Sequence, residues 1–396
     1  MSKTYDVAVI GGGIIGLSSA YYLAKAGKKV IVLEKNEIGS GASGACDDMI
    51  LLQSKKPGIL LEMAFESLEM YEGLSKELNY DIEFECRGGM ILIEDQQQLD
   101  VMMDFVEQQK KWGLDVDIIS KKEVRKKQPH VKKTVIASTY SKRDAQVNPL
   151  RVMRGFFANS VNMGVEIRKH IQIKSIEQRK DYWKILLYQG DAIEAENIIN
   201  AAGAWAPAIG ELIGVHIPIS PKKGQIAITE KIPRLGESNV WSAEYIVAKL
   251  RPDLTKEKDS LHQKYGIGFA FAQASDGNYL LGSTRENVGF DKSTNYEAIR
   301  LMTQQALQFF PILKNVHIIR TIAGFRPATP DGKAIVGELD GRKGFYIAAG
   351  HEGDGIALAP ITGKMMVDLV NREHIHYNVN ELNLNRFGRM EEVKVC

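Results

Sequence analysis

Runs of apolar residues broken by glycine mark out the amino-terminal stretch. Asp6 to Ile10 reads as a short buried strand, and Gly11-Gly12-Gly13-Ile14-Ile15-Gly16 follows at once. Leu17 to Ala26 is rich in Ala, Leu and Tyr, the content of a helix, and Gly27 stops it. Val30 to Leu33 is a second apolar, β-branched run that ends in Glu34. Strand, glycine turn, helix and strand in this order predict a βαβ unit with its glycines at the first turn.

Farther along, the spacing predicts a long helix from Pro57 to Leu78, with Pro57 in its first turn. A hairpin is expected over 81–94 around Gly88-Gly89, and a helix from Asp95 to Trp112. Asn148 as cap and Pro149 in the first turn open a helix that runs to about Gly164. Short strands follow between Val165 and Glu196, then an apolar strand at Ile198 to Gly203 running into a small-residue turn. Residues 215–320 are strand-rich with one helix near 294–309, and Ala334 to Ala349 gives two short strands. Gly355 to Val370 is the last helix, with Pro360 near its first turn. Neither an internal repeat nor a low-complexity linker divides the chain, so interleaved domains are expected.

At 396 residues the chain is long enough for two or three domains. Hydrophobic residues at 44% and charged residues at 25% describe an ordinary globular protein, and they argue against a disordered, fibrous or disulfide-knit chain. Lys and Arg total 51 against 49 Asp and Glu, so the balance gives no hint of a nucleic-acid partner. The densest basic cluster, Lys121 to Lys127, reads as a solvated helix face. Cys46, Cys86 and Cys396 form neither a disulfide framework nor a spaced metal site, and no metal is expected. They fit a reducing compartment. With no apolar signal core and no stretch near the roughly 18 apolar residues of a spanning helix, a cytoplasmic location is expected. Peripheral attachment to a membrane through a partner stays open.

The glycines carry the first chemistry. Gly11 permits a tight turn out of the strand, Gly13 lets backbone approach a pyrophosphate without a Cβ, and Gly16 lets the helix pack close on the sheet. The positive end of the helix then faces the phosphates. Glu34, 18 residues after Gly16, is placed to accept hydrogen bonds from ribose hydroxyls and disfavours a 2′-phosphate. The fingerprint predicts a dinucleotide and leaves NAD and FAD open.

The segments that follow resemble the D-amino-acid oxidase/glycine oxidase (DAO) superfamily of FAD-dependent oxidoreductases. Gly39-Ser40-Gly41-Ala42-Ser43-Gly44 is similar to the family's loop against the pyrophosphate and flavin. Asn200-Ala201-Ala202-Gly203-Ala204-Trp205 resembles the strand and turn on the adenine side, and Pro221-Lys222-Lys223-Gly224-Gln225 the strand entering the substrate domain. Gly324-Phe325-Arg326-Pro327 resembles the family's Gly-x-Arg-Pro segment. Gly350-His351-Glu352-Gly353-Asp354-Gly355-Ile356 resembles the turn whose amides cover the flavin pyrimidine. The resemblance spans residue 5 to about residue 370. Gly44-Ala45-Cys46-Asp47-Asp48 and Gln53-Ser54-Lys55-Lys56-Pro57-Gly58 narrow it to the FAD-bearing β subunits of the opine oxidase, proline dehydrogenase and hydrogen cyanide synthase group.

The resemblance implies noncovalent FAD held by Gly11, Gly13, Ile14, Ile15, Gly16, Glu34, Lys35, Ser40 to Gly44, Ile173, Ala202, Gly203, Trp205, Arg326, Gly350 and Glu352 to Ile356. It implies that Arg326 anchors a substrate carboxylate, a task a planar guanidinium performs with two parallel hydrogen bonds. Asp48 and Met49 are placed at the substrate, and Asp47 and Asp48 are candidates for its amine. His351 is a candidate base, and Tyr245, Tyr265 and Tyr279 are candidates for the pocket wall.

The fold expected is α/β, a Rossmann-like FAD-binding domain (1–80, 145–215 and 318–396) interleaved with a mixed or antiparallel β-sheet substrate domain (81–144 and 216–317). The implied reaction is oxidation of the C–N bond of an amino acid or N-substituted amino acid such as proline, hydroxyproline, sarcosine, glycine or an opine. In the family the hydride goes to flavin N5 and needs a neutral amine, so no side-chain base is obligatory. Electrons would pass to an acceptor, quinone-like or a companion subunit carrying a second flavin, a nucleotide or an iron–sulfur centre, since this chain has no cysteine cluster for one. The alternatives are a free-standing oxidase that makes hydrogen peroxide, a non-catalytic flavin-holding subunit and, more remotely, a nicotinamide dehydrogenase.

Overall fold

The computed structural model describes residues 4–254 and 260–388. Two eight-stranded sheets organise it. In the first, Thr4–Ile10 lies between Val30–Leu33 and Ala192–Asn200, flanked by Glu166–Arg168 on one side and Phe345–Ala349 on the other, all parallel. Ile335–Glu338 and the pair Ile173–Gln178 and Trp183–Leu187 extend it antiparallel. Val7 and Val9 pack into one core with Leu17 and Leu358, while Ala8 and Ile10 pack into another with Trp183 and Phe345. Burial on both faces explains why the strands read as unbroken apolar runs.

The second sheet runs in the order Ile318–Ala328, Ser220–Lys231, Asn278–Gly282, Ala270–Gln273, Asn239–Ser242, Gly89–Ile93, Ala137–Ser141, Asp117–Ser120. Its pairings are antiparallel except that of Asn239–Ser242 with Gly89–Ile93. The sheet takes its strands from 89–141 and 220–328, between segments that build the first sheet, so the two halves interleave.

Four expectations change. The long helix is Ile59–Glu77 with Gly58 as its N-cap at φ 128°, a conformation that leaves Pro57 outside the first turn. Residues 81–94 form no hairpin. Gly89–Ile93 instead pairs with two distant strands, and Gly88 packs on the Tyr140 ring rather than closing a turn. The stretch 215–320 holds two more short helices, Ala243–Leu250 and Ser260–Tyr265, too brief to show a period. Residues 318–328, grouped above with the cofactor half, hydrogen-bond into the second sheet over their whole length.

The helices Ile14–Lys25 and Gly355–Asn371 cross at a small-residue contact. Ser18 Oγ donates to the Ala359 carbonyl at 2.7 Å, and a Cβ on Gly363 would collide with Ser18. This crossing places two helix N-termini side by side. Gly363→Val is therefore expected to destabilise the protein by about 1–3 kcal/mol. Gly73→Ala, in open space within Ile59–Glu77, should stabilise it by about 0.5 kcal/mol. Denaturant midpoints of the two variants check the contrast.

Candidate active site

The glycine turn builds a cradle. Gly11 sits at φ 114°, and a Cβ there would lie 2.5 Å from the Ala201 carbonyl oxygen. Gly16 packs against the Gly11 carbonyl, which draws the helix onto the strand ends. Gly13 is the N-cap and has no side chain to cap with, while Ser43 Oγ accepts from the Ile14 amide at 3.1 Å. Glu34 accepts from the amides of Gly12 at 2.6 Å and Asn36 at 2.7 Å. A cavity of about 410 Å³ opens here, lined by Gly11, Gly13, Ile14, Ile15, Glu34, Lys35, Ser40 to Ser43, Ile173, Ala202, Gly203 and Trp205, and on the far wall by Gly350, His351, Glu352 and Gly355. An apolar cleft with a helix N-terminus, bare glycine backbone and an acid at the second strand end fits a dinucleotide.

A second cavity, about 190 Å³, shares Ile14, Ala42, Ser43, Glu352 and Gly355 with the first. The second sheet forms its opposite wall. Arg326 projects from Ile318–Ala328 and folds over Gly224, where a Cβ would stand 2.6 Å from the guanidinium carbon. Its Nη1 donates to the Thr284 carbonyl at 2.9 Å and Nη2 to Ser283 Oγ at 2.8 Å. Asp47, Cys46 and Met49 line the same space.

Charged contacts pin the turn that separates the cavities. Arg285 Nη1 meets Glu352 Oε1 at 3.0 Å, and Lys55 Nζ meets Asp354 Oδ1 at 3.0 Å with the lysine side chain only 2% exposed. The Glu352 amide donates to the Pro327 carbonyl at 3.1 Å, tying the turn to the strand of Arg326. Gln53 and Leu52 donate to Asp144, which fixes the loop that carries Lys55.

Burial raises the Asp47 carboxyl, and Arg326 and then Arg285 draw it back down. Asp48 is pushed up to about 7, first by burial and then by Asp47, and its Oδ1 has no hydrogen-bond partner. Burial holds His351 down to about 4, so the ring is neutral, and its Nε2 lies 3.1 Å from Thr362 Oγ1. The Cys46 thiol is pushed well up by burial and by its two aspartate neighbours.

These features meet a family model. The description "DAO: FAD dependent oxidoreductase" matches residues 6–369. The chain belongs to the DAO family. It is 30% identical to glycine oxidase of Bacillus licheniformis, over 93% of this chain and 94% of that one. It is 26% identical to hydrogen cyanide synthase subunit HcnC of Pseudomonas protegens, over 98% and 97%. The crystal structure of L-proline dehydrogenase from P. horikoshii superposes with a TM-score of 0.86 at 26% identity, covering 98% of both chains. This DAO protein is thus an FAD-dependent oxidoreductase.

Within it, most of the residues singled out from the sequence face one cavity or the other. Arg326, Met49, Gly353, Asp354 and Ile356 line the smaller one. Gly16 and Gly44 line neither, and both serve close backbone packing instead, Gly44 against the Gly39 carbonyl. Asp48 lines neither cavity, whereas its neighbour Asp47 does. Successive residues entering the short strand Met49–Ile50 point to opposite sides, so one aspartate of the pair faces away.

The tyrosines are also elsewhere. Tyr265 donates to Glu297 at 2.7 Å and Tyr279 accepts from the Leu235 amide at 2.8 Å, both buried in the second sheet's core. The Tyr245 side chain lies outside the described residues. Trp241, Phe269, Arg285 and Gln53 line the smaller cavity and were not among the candidate site residues. Only Gln53 carried a signal, as part of the Gln-Ser-Lys-Lys-Pro-Gly segment.

Asp48 supplies a pH test. Its proton is held more tightly in the folded protein, to about 7, than at the ordinary value of 3.8. Its contribution to stability is therefore full at low pH and is lost as pH rises through about 7. Asp48→Asn escapes that loss, so its thermal midpoint should gain on wild type between pH 4 and pH 8, by about 3 °C. A constant or shrinking gap would show a carboxylate with a compensating partner.

Proposed function

We propose that this chain oxidises the C–N bond of an amino acid or N-substituted amino acid and hands the electrons to a companion subunit. One observation carries the reading: Arg326 and Asp47 set opposite charges on the wall of one cavity, next to the cofactor cleft. That pattern suits a zwitterion. The relatives named glycine oxidase and L-proline dehydrogenase support the same substrate class. Arg326 binds the carboxylate, and Ser283 and the Thr284 carbonyl fix the plane of its guanidinium. Asp47 draws the amine. Apolar side chains around them exclude water and keep the charge interactions strong.

FAD, when bound, takes up the two electrons that leave the substrate α-carbon. Gly11, Gly13 and the first amides of Ile14–Lys25 would hold its pyrophosphate, Glu34 its ribose, and the turn 350–355 the flavin edge. Noncovalent attachment is supported by Cys46, which is the one cysteine among the described residues to line either cavity. Its thiol is held away from the thiolate a covalent link would need. No group of three or more metal-ligating side chains occurs among the described residues, so the reading assigns any iron–sulfur centre to a partner. No helix among them is long and apolar enough to cross a membrane.

The subunit reading leans on the relative named as a hydrogen cyanide synthase subunit, and the glycine oxidases favour direct reaction with oxygen. Anaerobic addition of amino acids should bleach the visible flavin band, and a dye should reoxidise it while oxygen uptake stays low. Bleaching with rapid oxygen uptake supports the oxidase. No bleaching by any amino acid supports the non-catalytic subunit.

Arg326→Ala should raise KM for a carboxylate substrate about tenfold or more, as the loss of a charge-assisted pair requires. Gly224→Ala, which crowds the guanidinium, should raise it in the same direction with Arg326 intact. Steady-state kinetics checks both, and unchanged constants would remove Arg326 from the carboxylate site.

A further inference from the structure

The floor of the smaller cavity is one cross-strand row of the second sheet. Ile226 stands opposite Gly282, Gly282 opposite Ala270, Ala270 opposite Trp241, and Trp241 opposite Ile91. Residues paired in this way share a face, and Ile226, Ala270, Trp241 and Ile91 all line the cavity. Gly282 and Ala270 keep the middle of the row low. Ile246, from the helix Ala243–Leu250, walls its far end.

The row has a direction. The Arg326 guanidinium is bonded at Ser283 and Thr284, where the strand Asn278–Gly282 ends. From that strand to Trp241 is two strand spacings, about 10 Å, and to Ile91 three, about 14 Å. The charged residues of the cavity, Asp47, Arg285, Arg326, Glu352 and Asp354, come from the cofactor half or from the strand ends beside Arg326. Ile91 and Ile246 are buried at 2% and 5% exposure and neither lines the cofactor cleft. Glycine spans roughly one strand spacing and would leave the apolar end to water.

We infer that the substrate is an amino acid with an extended, uncharged apolar substituent, carried on its α-carbon or its nitrogen and laid along this row toward Trp241 and Ile91. This rests on the reading that Arg326 takes the carboxylate. Apolar area removed from water then supplies the selectivity, at about fourfold per methylene.

The test uses the FAD-loaded protein and amine-free carboxylates, whose binding is read from the perturbed flavin spectrum. Hexanoate should bind at least about tenfold more tightly than acetate, with butyrate between them. Trp241→Ala should shrink the hexanoate-to-acetate ratio severalfold. In the same preparation, norleucine and N-butylglycine should bleach the flavin at lower concentration than glycine, and which does so better assigns the substituent to carbon or nitrogen. A flat carboxylate series in the wild-type protein overturns the inference even if Trp241→Ala does not fold. A flat series together with bleaching by glycine overturns it and leaves the proposed reaction standing. A steep series with no bleaching by any amino acid keeps the apolar row and removes the reaction.

Discussion

Two glycines facing each other across one strand pair hold this site together. Gly224 and Gly324 are register partners in the pairing of Ser220–Lys231 with Ile318–Ala328. The missing side chain at Gly224 is the space in which the Arg326 guanidinium lies, and the missing side chain at Gly324 admits Ala45 of the cofactor loop to within 2.8 Å of where a Cβ would be. One gap positions the charge and the other brings the two sheets' contents into contact. Without both, the cation and the cleft would be separate features of the fold.

Around that contact the protein buries charge at a cost. A lysine 2% exposed and an aspartate clamp the loop 51–55 to the turn 350–355, and Arg285 clamps the same turn from the second sheet. Of the four partners only Lys55 is buried, and such half-exposed ion pairs add little net stability, because desolvation and solvent screening offset their attraction. Their effect here is geometric. The turn before the helix Gly355–Asn371 is held from two directions and through its own backbone, so its amides and the helix N-terminus keep a fixed aspect toward the shared wall of the two cavities. Asp48, buried beside Asp47 without a partner for Oδ1, is a price of threading two carboxylates through so small a space.

Local chemistry was the legible part. The βαβ unit and the Gly11 and Gly13 cradle could be read from residue type and spacing, because each depends on neighbours close in the chain, whereas the loop at Ser40 to Ser43 and Arg326 were legible only through the resemblance to the DAO family. Gly89–Ile93 could not be read correctly, since its partners lie about 50 and 150 residues away and a Gly-Gly pair mimics a turn. Trp241 reaches the cavity only through a sheet order that no local pattern encodes. The Asp47 and Asp48 pair shows the same limit in miniature: composition marks both, and the alternation of a strand decides which one faces the cavity.

Catalysis by this site turns on where a carboxylate comes to rest relative to the cofactor. A crystal structure of the FAD-loaded protein with a non-oxidisable carboxylate would show it most directly. Both oxygens should lie within hydrogen-bonding distance of the Arg326 guanidinium, with the flavin ring between the turn 350–355 and the second sheet. A carboxylate held elsewhere, out of reach of the guanidinium, would contradict it.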